Sequence, residues 1–599
     1  MEPTASSSPT PPPVDATSPS RETPSLAGPI DPTGAEWRSI LPWLLLFCVL
    51  GAVPAVLARI DLPSIVAFTE RPAGNTPVYP SILAAEDYPQ YRAAIRDAAE
   101  SGRLASHNHF TTEPHDPVIQ RPFYSILGWI SGRLGIGPLA AYLLAGLLSR
   151  VFLLVALYRF AALVFAGRRE RLLAFLLAIV VSGLGGWASL LQGDLPPALV
   201  ARYSEGFERT EYNTFAVLFH HPHLIAGLAL ILVMARSIVR IVVEVTAARV
   251  AMLFVWMLAL SLTNFFSLVP LGASTAALLG VLFLLRRRGG EALPDVTYST
   301  MTALAIGGAG GLPFLLYALT VFRGDPFWSA TYGTATGQSS PAPDVVAFHL
   351  LVLVIPAIFG LLPFLAGASS PSGDREARTR ATARWLTIAW IATAAILMYF
   401  PWFDFQIRAA FGIQPFLAMI AAAGILAFGR ALGSAAANGV VGVAFCLVAL
   451  VTPFVWVKML AVDSVRGDTE LYYRLLYRPD AEVEAAEWLA RECGPDEAVL
   501  CGYESGNYLA GRIRGRVFVG HDSGTLDCAR KLEEIQRFFG GGMTPEEGAR
   551  FLQEAGVDFI FFGPFELRRF GQWDYPSLGE RVELVHQTAG AYVFRVQQP

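Results

Sequence analysis

The chain has 599 residues, of which 53% are hydrophobic and 16% are charged. Soluble domains usually carry about 25% charged residues, so this composition indicates a protein that crosses a membrane many times. A net charge of −4 without a basic block argues against a nucleic-acid partner. The five cysteines include no Cys-x-x-Cys pair and therefore indicate neither a zinc site nor a disulfide framework, and a single bridge among Cys493, Cys501 and Cys528 stays open.

The N-terminal segment differs in composition from the rest of the chain. Residues 1–36 are rich in Pro, Ser and Thr and contain few apolar side chains, which predicts a disordered tail. This segment lacks the basic start and the small-residue cleavage site of a secretory signal. The apolar run 40–58 is therefore predicted to be a retained first membrane span.

Hydropathy predicts a polytopic α-helical membrane domain at residues 37–460, with about eleven transmembrane helices. The predicted spans lie near 40–58, 137–158, 172–192, 214–235, 250–268, 269–285, 300–322, 345–366, 385–403, 409–429 and 439–457. Whether Pro270 marks a turn or a kink between the fifth and sixth spans stays open. Short cytoplasmic loops collect arginine, and the arginine-rich loops all fall on the inner side if the N-terminus is cytoplasmic. The sequence therefore predicts a plasma (inner) membrane protein with a large outer loop at residues 59–136.

Residues 461–599 have the composition of a soluble domain. Helical patterns alternate there with short apolar strands such as AVLCG, RVFVG and VDFIFFG. This alternation predicts a small parallel α/β sheet, closed by the strands VELVHQ and AYVFRV. Neither a GxGxxG nor a Walker motif opens any of its helices, so nucleotide binding has no support. With an odd number of spans the domain is extracytoplasmic, and we expect it to pack over the outer mouth of the membrane domain.

The segment at residues 81–124 is a polar, histidine-bearing stretch between apolar segments, and it contains the adjacent acids Glu86 and Asp87. Acidic groups are costly in lipid, so this loop belongs at the water side of the helices. A carboxylate beside the membrane can accept the proton of a hydroxyl that attacks a lipid-linked sugar phosphate. Alternatively, Asp87 caps the helix YRAAIRDAAESG that follows it, and the two roles are compatible.

Several segments together resemble the GT-C superfamily of membrane glycosyltransferases, near the bacterial protein O-mannosyltransferases and aminoarabinose transferases. They are EDYPQY, PFYSILGWISGRLG, YRFAALVFAGRRERLLAFLLAIVVSGLGGW, FDFQIRAAFGIQPFLAM and the tail that begins at EWLARECGPDEAVLCGYESGNYLAG. The resemblance runs from about residue 40 to the end and implies a polyprenyl-phosphate sugar donor. It implies that Asp87 is the base and that Glu86 is its neighbour or substitute, since the family commonly has Asp before Glu and this chain has the reverse order. It also implies that the FQxR turn, with Gln406 and Arg408, approaches the donor phosphate.

Two histidine groups are further site candidates. The loop sequence HNHFTTEPHD contains His107, His109, Glu113, His115 and Asp116 without a fixed ligand spacing. These residues are interpreted as solvated loop residues, as contacts to the acceptor or a phosphate, or as metal ligands.

The sequence FHHPH places His220, His221 and His223 near the outer end of the fourth predicted span. Ionisable residues in a span normally face a cavity or the interior, so these histidines contact phosphate or metal, or else are packed and hydrogen-bonded. Candidates for a second acid in the outer loop before them are Asp194, Glu205, Glu208 and Glu211. A solvated helix face explains these acids equally.

The sequence favours an inverting glycosyltransferase that passes a hexosyl or pentosyl group to a glycan, lipid or protein acceptor on the outer face. The loop 323–344, which contains DPFW, is a candidate donor entrance, and the turn with His521 and Asp522 is interpreted as structural or acceptor-facing. No cofactor is indicated with certainty, and a divalent metal stays open. The alternatives are a transporter or flippase of lipid-linked sugars and a non-catalytic membrane scaffold. Transporters tend to carry inverted repeats and charged groups at mid-membrane, and no clear repeat is evident.

Overall fold

A computed structural model of the chain describes residues 30–57, 75–77, 85–204, 209–289, 293–336, 339–369, 374–401, 406–459 and 477–597. Most of the predicted disordered tail at residues 1–36 lies outside the described residues. Glu205 and Glu208 of the predicted acid group lie outside them as well.

The part up to residue 459 is helical, as the sequence predicts. Its helices are α1 (Gly34–Leu57), α2 (Tyr88–Ser101), α3 (Pro122–Leu134), α4 (Pro138–Val164), α5 (Arg168–Val180), α6 (Gly185–Leu190), α7 (Pro197–Ser204), α8 (Thr214–Val217), α9 (Pro222–Val243), α10 (Ala247–Asn264), α11 (Leu268–Arg287), α12 (Tyr298–Gly308), α13 (Leu312–Gly324), α14 (Pro326–Thr336), α15 (Pro343–Ser369), α16 (Arg375–Met398), α17 (Ile413–Leu432) and α18 (Ala435–Lys458).

The protein is a multi-pass membrane protein. Among the described residues, eight helical runs are long and apolar enough to cross a membrane: Gly34–Val53, Pro138–Val164, Pro222–Val243, Ala247–Arg287, Tyr298–Gly324, Pro343–Ala366, Gln406–Leu432 and Ala435–Lys458. The run Ala247–Arg287 has 41 residues, which corresponds to about 60 Å of helix. Because the hydrocarbon core is about 30 Å thick, this run is long enough for the two spans predicted there. A short 3-10 turn, Phe265–Ser267, separates its halves just before Pro270.

Two predicted spans differ from the observed helices. The region near 172–192 is not one helix, because α5 ends at Val180 and only the six-residue α6 follows. Between them Gly183 has φ +71°, and a Cβ there would lie 1.7 Å from the carbonyl oxygen of His349. The region near 214–235 is divided into α8 and α9, and α9 begins at Pro222 after His220 and His221. These two histidines therefore precede a helix instead of lying inside a span.

Replacing Gly183 with Ala is expected to destabilise the membrane domain. The positive φ and the collision with the α15 backbone together cost on the order of 2–4 kcal/mol, so the unfolding midpoint of a membrane domain of this size should fall in detergent by about 2–4 °C. Gly442→Ala on α18 is the matched control, because its Cβ would meet no atom within 4 Å. An unchanged midpoint for Gly183→Ala would show that the close approach to α15 is absent.

The C-terminal domain contains a five-stranded sheet in the order β4-β3-β5-β7-β6. The strands are β3 (Ala498–Leu500), β4 (Arg516–Val517), β5 (Phe559–Phe562), β6 (Val582–Gln587) and β7 (Tyr592–Val596), and the helices are α19 (Asp480–Glu492), α20 (Tyr503–Ala510), α21 (Cys528–Phe539), α22 (Pro545–Ala555) and α23 (Pro564–Phe570). Strand β3 pairs parallel with β4 and β5, whereas β7 pairs antiparallel with β5 and β6. The sheet is therefore mixed, with the two predicted closing strands as an antiparallel hairpin.

This domain packs through polar contacts against the segment 59–136, the predicted outer loop, which is called the outer loop below. A short antiparallel pair joins β1 (Asn75–Pro77) of the loop to β2 (Tyr477–Pro479). Arg92 of α2 donates to the carbonyl oxygen of Gly511 at 3.0 Å, and Arg96 donates to that of Ile513. Because both arginines lie on the helix that starts at Tyr88, this contact fixes the loop acids relative to the C-terminal domain.

Candidate functional site

A cavity of about 620 Å³ lies where the outer loop meets the starts of α3 and α9. Its apolar lining residues include Phe123, Leu224, Leu262, Phe265, Phe266 and Phe314. Its polar lining residues are Asp87, Tyr91, Gln120, Arg121, Tyr124, Arg209, Thr210, Glu211, His220, His221, His223, Ser261, Thr263, Asn264 and Arg408. The cavity therefore has the size and the mixed lining to hold a molecule with an apolar chain and an anionic or hydroxylated head.

Asp87 is the carboxylate at the junction of the cavity and the C-terminal domain. It precedes α2, whose first turn contains Pro89, but its side chain makes no capping hydrogen bond. Instead, Oδ1 lies 2.9 Å from Nε2 of His521 and Oδ2 lies 3.8 Å from Nε2 of His221. The side chain keeps 36% of its surface exposed, so it is accessible from the cavity.

The charge of Asp87 is set by opposing effects. Burial raises its pKa, but the hydrogen bond and the charge of His521 outweigh burial and hold the pKa well below its usual range. For His521, burial lowers the pKa, because it disfavours the charged imidazolium. The hydrogen bonds of His521 to Asp522 and Asp87 outweigh this effect and raise its pKa to about 9. At neutral pH the pair is therefore a carboxylate and an imidazolium.

Glu86 occupies a different environment from its neighbour. Its backbone carbonyl accepts a hydrogen bond of 3.0 Å from Nδ2 of Asn507 in the C-terminal domain. Burial and the nearby acids Asp522 and Asp87 raise the pKa of its side chain, in spite of His521. Glu86 is not one of the described residues that line the cavity.

All three histidines of FHHPH line the cavity. His221 is buried, with Nδ1 at 2.5 Å from the Tyr142 hydroxyl, and His223 has Nδ1 at 2.8 Å from the Tyr124 hydroxyl. Nδ1 of His220 accepts from the backbone N–H of His221 at 2.9 Å. Burial lowers the pKa of His220 well below its ordinary value. His220 is therefore neutral at physiological pH, and its remaining ring nitrogen is a donor.

A stack of tyrosines, for which the sequence pattern has no separate signal, supports these histidines. The rings of Tyr91 and Tyr124 are stacked at 4.2 Å between centroids, and Tyr124 lies 6.0 Å from Tyr142. The Tyr91 hydroxyl donates to Oδ2 of Asp87 over 3.5 Å. The stack therefore fixes both the carboxylate and the histidines, and it offers aromatic surface beside them.

Arg408 reaches the cavity from the turn before α17, whereas Gln406 does not. The Arg408 guanidinium is 2.8 Å from Oε1 of the buried Glu211 and stays 32% exposed. Nε2 of Gln406 donates to the carbonyl oxygen of Phe400 at 3.1 Å, which makes Gln406 part of the turn itself. Glu211 thus lies in the cavity as a partner of Arg408.

Arg121 and Arg209 are further cations of this cavity, and neither was a site candidate from the sequence. Arg121 stands directly before α3, where it hydrogen-bonds Gln120, and its guanidinium lies 5.9 Å from the Tyr91 ring. Its position next to Pro122, at the start of an apolar helix, was the signal that could have indicated it. Three arginines, Arg121, Arg209 and Arg408, therefore line the same cavity.

The five candidates of the loop HNHFTTEPHD lie elsewhere, at contacts between elements. His109 is 2.6 Å from Oδ2 of Asp97 and 2.7 Å from the carbonyl oxygen of Gly515, and Glu113 forms an ion pair of 2.8 Å with Lys531. The ring of His115 stacks on Phe327 at 4.3 Å. These contacts fix the loop to the C-terminal domain and to the start of α14.

The remaining members of this loop group continue the same contact. His107 lies edge-on to His115 at 5.5 Å, and the carbonyl oxygen of Asp116 accepts from Nε1 of Trp328 at 3.3 Å. Trp328 belongs to the DPFW segment, so the predicted donor-entrance loop packs on the outer loop. None of the five candidates is among the described residues around the Asp87 cavity.

Metal ligation was left open by the sequence. Across the described residues, no three His, Cys, Asp or Glu side chains are grouped so that they could hold a metal ion. The cavity's histidines are held instead by tyrosine hydroxyls and a backbone N–H.

Comparison with protein-family models and with curated protein sequences gives no match. Among solved structures, the chain is similar to the archaeal oligosaccharyltransferase AglB from Archaeoglobus fulgidus, in complex with an inhibitory peptide and a dolichol-phosphate (13% identity, 89% of this chain and 70% of that one, TM-score 0.48). It is similar to ArnT from Cupriavidus metallidurans bound to undecaprenyl phosphate (13% identity, 93% and 98%, TM-score 0.43). It is also similar to the arabinofuranosyltransferase AftD from Mycobacteria (13% identity, 93% and 42%, TM-score 0.46). All three are membrane glycosyltransferases of the GT-C superfamily, which the sequence motifs resemble.

Proposed function

We propose that this protein transfers a sugar from a polyprenyl-phosphate donor to an acceptor hydroxyl on the outer face of the plasma membrane. The observation that carries the proposal is a single cavity lined by an ionised Asp87, three arginines and four phenylalanines. The phenylalanine side chains suit an apolar polyprenyl chain. Arg121 and Arg408 suit the phosphate, because guanidinium groups bind phosphate oxygens through paired N–H donors.

In the proposed reaction, the acceptor oxygen bonds to the anomeric carbon while the bond from that carbon to the phosphate oxygen breaks. The acceptor proton passes to Asp87, and polyprenyl phosphate leaves with the bonding electrons. Attack from the side opposite the phosphate inverts the anomeric centre. Glycosyl transition states have oxocarbenium character, so the hydroxyl becomes strongly acidic only as its bond to carbon forms. A carboxylate of low pKa is therefore adequate as the base.

The other groups have supporting roles in this proposal. His521 holds Asp87 in its ionised form and fixes its second oxygen toward the cavity. His220 offers a ring N–H to the donor or acceptor, and the tyrosine stack offers a face on which a sugar ring packs. The tendency of arginine-rich loops to be cytoplasmic supports an outer position for the Asp87 cavity and the C-terminal domain.

Purified protein in liposomes, supplied with a panel of radiolabelled polyprenyl-phosphate sugars and candidate acceptors, tests the function. We expect one donor to give a labelled product with released polyprenyl phosphate, and we expect the corresponding nucleotide sugars to give none. Movement of the intact labelled lipid between leaflets, without cleavage of the sugar phosphate bond, would contradict transfer and indicate a flippase.

A further inference from the structure

Two further cavities lie toward the other end of α9. They have volumes of about 470 Å³ and 340 Å³ and share Arg240 and Arg249 in their linings, so they are adjacent. His223 of the Asp87 cavity and Arg240 are seventeen positions apart on this helix, which is about 25 Å along its axis. The adjacent pair, called here the arginine cavity, therefore lies toward the opposite membrane face from Asp87.

The arginine cavity has an excess of positive charge. Its lining contains five arginines, namely Arg159, Arg236, Arg240, Arg249 and Arg375, and two acids, Asp31 and Glu376. Asp31 pairs with Arg236 and Arg240, and the adjacent Glu244 pairs with Arg249 and Arg375. Five cations against these three acids leave a local charge of +2. Within the described part of the chain, the buried Nε of Arg236 has no hydrogen-bond partner.

The smaller of the two cavities also has apolar lining residues. They include Phe152 and Val155 of α4, Leu232 of α9, and Met252 and Trp256 of α10. The Phe152 and Trp256 rings lie 6.2 Å apart, so aromatic surface lines the same cavity as the arginines. Cytoplasmic loops generally collect arginine, but that tendency does not account for a cavity that is also lined by apolar side chains.

We propose that the arginine cavity binds an anionic phospholipid of the leaflet opposite the Asp87 cavity. The headgroup phosphate contacts the guanidinium groups of Arg236 and Arg240, and one acyl chain lies along Met252 and Trp256. Charge complementarity selects an anionic headgroup over a zwitterionic one. A free phosphate shares the arginine chemistry, but it does not use the apolar lining residues. This inference is independent of the reaction catalysed at Asp87.

Thermal unfolding of the purified full chain in neutral detergent tests the proposal. The midpoint is measured while phosphatidylglycerol, phosphatidylcholine with the same acyl chains, or inorganic phosphate is added. We expect phosphatidylglycerol alone to raise the midpoint saturably, because a ligand of the folded state stabilises it by mass action. The double variant Arg236→Gln/Arg240→Gln should weaken the apparent affinity at least tenfold.

Two further variants keep this test interpretable. Arg288→Gln, at the exposed end of α11 and outside the arginine cavity, should bind phosphatidylglycerol as the unmodified chain does. If the double variant does not fold, Arg159→Gln replaces it, because Arg159 also lines the arginine cavity. Equal shifts with phosphatidylcholine, or undiminished affinity in the folded variants, would overturn the proposal. Protection by inorganic phosphate alone would indicate a soluble anion instead of a lipid.

Discussion

Replacing Asp87 with Asn is expected to reduce the rate of sugar transfer by about 10²- to 10⁴-fold, which is the usual contribution of a positioned general base. The amide has the size of the carboxylate and can still accept a hydrogen bond from His521, so the fold and the docking of the C-terminal domain should persist. It cannot take the acceptor proton. Initial rates with the active donor, measured at saturating acceptor in proteoliposomes, give the effect on kcat.

Two variants control for the loss of a negative charge near the membrane. Asp194→Asn removes an exposed outer-loop carboxylate away from the cavity and should keep full activity. Glu86→Gln should also keep most activity, because the Glu86 carboxyl does not line the cavity. Full activity of Asp87→Asn would show that Asp87 is not the general base. Loss of activity in Glu86→Gln alone, with Asp87→Asn active, would assign the base to Glu86.

The acids and cations of the cavity were predictable in part because each has a local signal. Asp87 stands in a polar loop between apolar runs, and Arg408 and the FHHPH histidines stand at the ends of apolar runs. In a membrane protein these positions are the ones at which charged side chains can meet water. The helical class of the membrane domain and the separate C-terminal domain follow from the same hydropathy signal.

The partners of these residues had no comparable signal. His521 is 434 positions from Asp87 and meets it only because the C-terminal domain packs on α2. For the loop histidines, the residue type suggested a site that the described residues do not form. Histidine is a common metal ligand, but His109 contacts Gly515 and His115 stacks on Phe327. Residue type and spacing are properties of one segment. The roles of these histidines depend instead on which residues, distant in sequence, pack against that segment in the folded protein.

His521→Gln is expected to change the pH profile of kcat/KM as well as its size. The pKa of His521, ordinarily 6.5, is raised to about 9 in the folded protein. The stabilisation from the charged pair is therefore complete below pH 6.5 and is lost as the pH rises through about 9. The unmodified protein should lose activity along this alkaline limb. The Gln side chain still donates a hydrogen bond but does not titrate, so the variant should lack the limb.

The acidic limb of the pH profile should move to higher pH in His521→Gln. His521 is the largest of the effects that oppose burial at Asp87, so without the imidazolium the pKa of Asp87 should rise and its protonation should occur at higher pH. A charged hydrogen bond exceeds a neutral one by about 1–2 kcal/mol, so kcat/KM at neutral pH should fall about tenfold. His586→Gln, in the same domain and stacked on Trp488, is the control and should keep both limbs. A merely structural His521 would lower the rate at every pH equally, so unchanged limbs in His521→Gln would show that the histidine does not set the charge of Asp87.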